Sequence, residues 1–134
     1  MKLVMVINGD LPRGLVANCA AVFGISVGKL FGDIVGPDVR DKDGNLHLGI
    51  TAKVIPVLNG SREQLKNIRT KAAEECADIS IIDFSEIAQK CTDYDTYMVK
   101  MGNTGYDDIE YIGVCLYGPD KKVNSLTGSL PLLR

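Results

Sequence analysis

Residues 2–22, KLVMVINGDLPRGLVANCAAV, read as a strand, a turn and the start of a helix. Lys2 to Asn8 is an unbroken apolar, partly β-branched run, the pattern of a central strand buried on both faces. Gly9-Asp10-Leu11-Pro12 breaks it. From about Arg13 to Phe31, the residues Val16, Cys19, Phe23, Val27 and Leu30 recur at helical spacing. Gly24 and Gly28 share one helix face. They lower helix propensity, so close packing against the sheet is the expected compensation.

Outward from this opening, strands and helices alternate. Asp43-Gly44 lies between Val39-Arg40-Asp41 and Leu46-His47-Leu48 and signals a hairpin. Lys53 to Leu58 predicts a second main strand, placed at an edge or bulge by Pro56. Ser61 and Gln64 have the spacing of a capping box, and Leu65, Ile68, Ala72 and Cys76 form the buried stripe of the helix that follows. Ile79 to Ile82 is a third strand, ending at Asp83. Ser85 caps a helix towards Lys90, and helical pattern resumes through Tyr97 and Met98. Tyr111 to Tyr117 is a fourth strand. Gly118-Pro119 opens a short helix, Gly128 ends it, and Leu130 to Leu133 is read as a last short strand. The expectation is a single α/β domain over residues 1–134, three-layered α/β/α, with a mixed, mostly parallel sheet of four to five strands.

The 134 residues suit one domain rather than two. A net charge of -2 argues against nucleic acid, which calls for a basic surface. The start of the chain is too short for a signal peptide. The longest uncharged stretch, Gly14 to Gly28, is shorter than the roughly 20 residues of a membrane span. Cys19, Cys76, Cys91 and Cys115 lie in or beside apolar runs and read as reduced thiols, which suits a cytoplasmic protein. With one histidine, His47, and no C-x-x-C pair, no metal site and no cofactor are expected.

Several chemistries fail on spacing. Gly24-Ile25-Ser26-Val27-Gly28 matches the G-x-S-x-G nucleophile pattern, but that serine needs a strand-to-helix turn and this one is mid-helix. Phe23 stands where a Walker loop before Gly28-Lys29 needs glycine, and no G-x-G-x-x-G occurs. Asp41, Asp43 and Asn45 start like a calcium loop, but Leu46 and Ala52 occupy its glycine and glutamate positions. Cys–His catalysis would need His47 beside a thiol, on faces expected to be buried. Arg62, Lys66 and Arg69 form a basic line diluted by Glu63, Glu74 and Glu75, and read as a solvated face.

Position remains as a guide. Ligands of open α/β sheets bind outside the carboxyl ends of strands. The first strand ends at Asn8-Gly9-Asp10 and the third at Asp83. Asn18 interrupts an apolar helix face and needs a partner if buried. Asp10, Arg13, Asn18 and Asp83 are therefore the candidate substrate-binding residues, with no catalytic residue assigned. The alternative is that Asp10 and Asp83 cap the helices after them.

The opening VMVINGDLPRGLVANCAAV (4–22) resembles the strand–turn–helix start of type II peptidyl-tRNA hydrolases. So do VIPVLNGSREQLKNI (54–68), ISIID (79–83) and YIGVCLYGPDKKVNSLTGSLPLL (111–133) in order. With the insert VRDKDGNLHLG (39–49), the chain is more similar to a family of uncharacterised bacterial proteins of that fold, the domain of unknown function numbered two thousand. The resemblance implies a three-layer α/β/α domain with a mixed sheet. The hydrolases carry Gly-Lys at the start of the first helix, where this chain has Gly14-Leu15. Their Asp-Ala-Gly and following threonine correspond to Asp83-Phe84-Ser85 and Ile87, so Asp83 alone matches. Their helix glutamine falls at Cys19, beside Asn18. The groups that would polarise an ester carbonyl or position water are thereby lost.

The leading expectation is a non-hydrolase relative that binds a small molecule or a peptide. One rival is a hydrolase acting on peptidyl-tRNA or a related ester, with a site rebuilt around Asp10, Asn18 and Asp83. Another is an interaction module forming a homodimer through its tail or an edge strand.

Overall fold

The computed structural model describes all 134 residues. Its main sheet is built from β1 (Lys2–Ile7), β4 (Val57–Asn59), β5 (Ser80–Ser85) and β6 (Tyr111–Gly118), in the order β4-β1-β6-β5. A separate ribbon pairs β2 (Val39–Arg40) with β3 (Leu46–His47). The helices are α1 (Arg13–Leu30), α2 (Arg62–Glu75), α3 (Glu86–Lys90), α4 (Tyr94–Gly102) and α5 (Asp120–Thr127).

The period of two in β1 divides the core. Val4 and Val6 point to one face, where Leu65, Ile68 and Ala72 of α2 and Val123 of α5 cover them. Leu3, Met5 and Ile7 point to the other, under Cys19, Phe23 and Val27 of α1. A strand sandwiched in this way must be apolar at every position, and KLVMVI is so after its lysine.

β1 pairs parallel with β4 and antiparallel with β6, and β6 pairs antiparallel with β5. The sheet is therefore mixed, with a single parallel pair, which corrects the mostly parallel sheet expected from alternation. The reason lies in the connection from β5 to β6. It leaves and returns at one end of the sheet, where the Glu86 amide donates to the Glu110 carbonyl at 2.9 Å. A chain that re-enters from the end it left must run back. Next to that turn, Phe84 pairs with Gly113 but Ser85 with Tyr111, so Ile112 is the extra residue of a β-bulge.

Local signals are realised. Ser61 accepts from the Gln64 amide and Gln64 returns a bond to the Ser61 amide. Ser85 accepts from the Ala88 amide and caps α3. Gly44 takes φ +87° in the hairpin turn, a conformation glycine adopts without strain. Three expectations change. The strand at Lys53–Leu58 shrinks to Val57–Asn59, and Pro56 contributes only its carbonyl, to Met5 N at 3.0 Å. The leucine tail makes one bridge, Leu58 to Leu132, instead of a strand. Gly24 and Gly28 have open space where a Cβ would sit; the close approach of α1 to the sheet is at Gly113 instead.

The two sheet edges differ. On β4, the tail closes the edge through Asn59 N to Pro131 O at 2.8 Å and Leu133 N to Val57 O at 2.9 Å. On β5, no backbone group bonds to anything beyond its partner β6.

Candidate functional site

Of the four candidate residues, Asp10, Arg13 and Asn18 are exposed and Asp83 is partly buried. Asp10 is exposed; its amide donates to Asn8 Oδ1 at 3.1 Å, and its carboxylate does not cap α1, whose N-cap is Pro12. Arg13 and Asn18 are exposed on α1, so Asn18 needs no partner within the protein. Asp83 is across the sheet. Its neighbours Ile82 and Phe84 point to α1, so alternation sends Asp83 to the α2 side. There its Oδ2 accepts from Arg69 Nε at 3.1 Å, the side chains being 17% and 28% exposed. Nor does Asp83 cap a helix, since Ser85 does that.

Around this ion pair, the rings of Tyr97, Tyr106 and Tyr111 gather. Burial, with the Asp83 charge, pushes the Tyr111 hydroxyl up to about 12 and raises that of Tyr97. Burial opposes the Arg69 charge, but the Asp83 bond and neighbouring groups outweigh it and its pKa is raised. Both tyrosines are therefore neutral donors at physiological pH, beside a carboxylate fixed by arginine.

A cleft of about 550 Å³ runs along the open edge of β5. Val22, Ser26 and Leu30, four apart on α1, form one wall. Cys91 to Tyr94 and Tyr97 form the other, with the Tyr94 and Tyr97 rings edge-on at 5.3 Å. Ile81, Ile82, Asp83 and Phe84 make the floor. A strand turns successive side chains to opposite faces, so a cavity that touches four in a row reaches the strand along its edge. Of the sequence-derived candidates, only Asp83 borders it. The rest of the lining was missed, because no motif marks an edge strand and the walls come from three separate segments.

The full chain, residues 1–134, matches the family model described as Protein of unknown function (DUF2000). The chain belongs to the DUF2000 family. A solved structure, that of a protein of unknown function, Atu0240 from Agrobacterium tumefaciens strain C58, is similar to it. The identity is 21% and the TM-score 0.88, over 98% of this chain and 96% of the other, which shows the shared fold. No curated protein matches the DUF2000 chain.

The lining of this DUF2000 cleft mixes apolar side chains with Ser26, Asp83, Tyr94 and Tyr97. Ser26 lies mid-helix, away from any strand-to-helix turn. Burial pushes the thiols of Cys19 and Cys115 up to about 12, the charge of Cys115 adding to the effect at Cys19. His47 bonds Asp41 at 2.9 Å in the β2–β3 ribbon. No three His, Cys, Asp or Glu side chains are grouped to hold a metal ion. No helix is long and apolar enough to cross a membrane.

The ribbon's own chemistry is pH-dependent. Asp41 accepts from His47, from the Asn45 amide and side chain, and from the Asp43 amide, and these bonds hold its pKa below 3.8. A depressed carboxylate stabilises the folded turn above its unfolded pKa, and loses that effect as pH falls through the lower folded value. Acidifying below pH 3.8 is thus expected to release the turn, read as a shift of the Asn45 and Asp43 amide resonances. Resonances unmoved through that range would show that the carboxylate does not hold it.

Proposed function

We propose that this chain is a binding domain whose ligand, a small molecule or a peptide, lies in the cleft along β5. The observation that carries this reading is the run Ile81–Phe84, four consecutive residues of an unpaired edge strand lining one cavity. Cavities of roughly 300–1,000 Å³ that are mostly apolar with a few placed polar groups are the usual form of ligand sites. An open strand edge adds unpaired amides and carbonyls, which favours an extended peptide bound by strand addition.

The resemblance to type II peptidyl-tRNA hydrolases supports reading the three-layer fold as hydrolase-like. Binding is preferred to hydrolysis because the Asp83 carboxylate is held by Arg69, while Asp10 and Asn18 are exposed and neither lines the cleft. Leu15 and Ile87 stand where the hydrolases have lysine and threonine.

Titrating peptides and metabolites into labelled protein is expected to shift the amide signals of Ile81 to Phe84. Ser26→Arg, which places a long side chain in the cleft, is expected to weaken binding by about tenfold or more, equivalent to about 1.4 kcal/mol. Shifts confined to other surfaces, or binding indifferent to Ser26→Arg, would reject the cleft. Turnover of peptidyl-tRNA that Asp83→Ala abolishes would favour the hydrolase instead.

A further inference from the structure

The β2–β3 ribbon stands away from the body of the protein. Every residue from Pro37 to Leu48 is exposed. Its register is continuous from the Val35–Thr51 bridge through Val39–His47 to Arg40–Leu46. Its base is tied by Gly36 N to Ile50 O and Ala52 N to Ile34 O, both at 2.8 Å, and by Gly49 N to Asp38 Oδ1 at 2.8 Å. Its tip is tied by the Asp41 carboxylate. The arm is thus pre-shaped, although an isolated two-stranded ribbon is marginal in water.

Its composition is wrong for a solvated arm. Leu46, Leu48 and Ile50 are 51%, 73% and 79% exposed. The outer edge of β3 has no strand beside it. Elsewhere on the same molecule is the complement: an unpaired strand edge in an apolar cleft, rimmed by the exposed side chains of Leu30 and Tyr94. Large exposed apolar patches in a soluble chain mark contact surfaces.

We propose that the arm of one molecule docks in the β5 cleft of a second copy. The outer edge of β3 adds as a strand to β5 and brings the exposed leucines of the arm against the apolar lining of the cleft. This deepens the binding reading and rests on it. Docking is between molecules: within one molecule no residue from Val35 to Ala52 lines the cleft, and Leu46, Leu48 and Ile50 stay exposed. The tail at β4 is a precedent within the fold, a short leucine segment held to a strand edge by two backbone bonds. Because the arm is already ordered, docking pays little further conformational entropy. A reciprocal pair makes the contact twice, which brings a small arm nearer the roughly 1,200–2,000 Å² of a stable interface.

The test is the mass of the full chain in solution, by light scattering and sedimentation over a wide concentration range. Wild type is expected to self-associate. Leu48→Asp combined with Ile50→Asp, at exposed positions outside the core, is expected to weaken association about tenfold or more, as is Ser26→Arg in the cleft. Mixing the arm variant with the cleft variant is expected to give tighter association than either variant alone, because one intact arm then meets one intact cleft. A monomeric wild type, self-association indifferent to the arm variant, or a mixture that associates no more tightly than either variant alone would overturn the proposal. The binding reading has its own readout. Peptide-induced shifts at Ile81–Phe84 in the arm variant keep it alive if the arm proposal fails, and their absence there removes both.

Discussion

Phe23→Ala is expected to destabilise the fold by about 3–5 kcal/mol, the usual cost of truncating a fully buried aromatic. Phe23 is 0% exposed and sits between Cys19 and Val27, the other two buried residues of α1. The stripe is narrow for an 18-residue helix. Gly24 and Gly28 contribute no packing, no side chain caps the N-terminus, and Leu30 at the far end is exposed. Beside the stripe, only the half-buried Leu15, Val16, Ala20 and Val22 of α1 pack on the same core. Domains of this size have about 5–15 kcal/mol in total, so the variant is expected to unfold at much lower urea concentration or to be partly unfolded in buffer. Ile25→Ala, two residues on but 77% exposed, is the control and should stay within about 0.5 kcal/mol of wild type. Equal urea midpoints for the two variants would show that α1 is held by something other than this stripe. Because Val22, Ser26 and Leu30 share the helix, loosening α1 should also weaken whatever occupies the β5 cleft.

What could be read from sequence was what neighbouring residues decide. The β1 run, the Ser61–Gln64 box, the Asp43-Gly44 turn and the Ser85 cap all follow from interactions within a few positions. Strand order did not. Nothing local in SIIDFS marks it as an edge strand, and nothing in Tyr111–Gly118 says that it inserts between β1 and β5 and runs backwards. The candidate site suffered for the same reason. Proximity to strand ends suggested Asp10, Arg13, Asn18 and Asp83 together. Alternation along β5 fixes only that Asp83 opposes Ile82 and Phe84; which helix covers which face depends on the crossover. The glycine reading failed similarly, since a Gly pair on a helix shows where a helix could approach a sheet, whereas the approach is set by a sheet residue far along the chain.

That sheet residue gives a sharp test. Gly113→Ala is expected to cost about 1–3 kcal/mol through overpacking. On open backbone the sign would be reversed, because glycine weakens a strand by roughly 0.5–1 kcal/mol relative to alanine. Space decides it. An alanine Cβ at position 113 would lie 2.6 Å from Cys19 Sγ, 3.0 Å from Phe23 Cε2 and 3.1 Å from the Val6 carbonyl oxygen. The Phe23 ring edge can shift, but Cys19 is on the rigid first half of α1 and Val6 is backbone of the central strand. Relief must come from lifting the helix or spreading β1 from β6. Removing the sulfur separates these routes. In a Cys19→Ala background the closest contact disappears, so the added cost of Gly113→Ala should fall, giving a coupling of about 0.5–3 kcal/mol in a double-mutant cycle. The remaining cost measures the Phe23 and Val6 contacts together. Urea denaturation of wild type, both single variants and the double variant supplies all four corners. If the costs simply add, Cys19 does not set the distance between α1 and the sheet, and the helix is kept in place by its Phe23 and Val27 contacts instead.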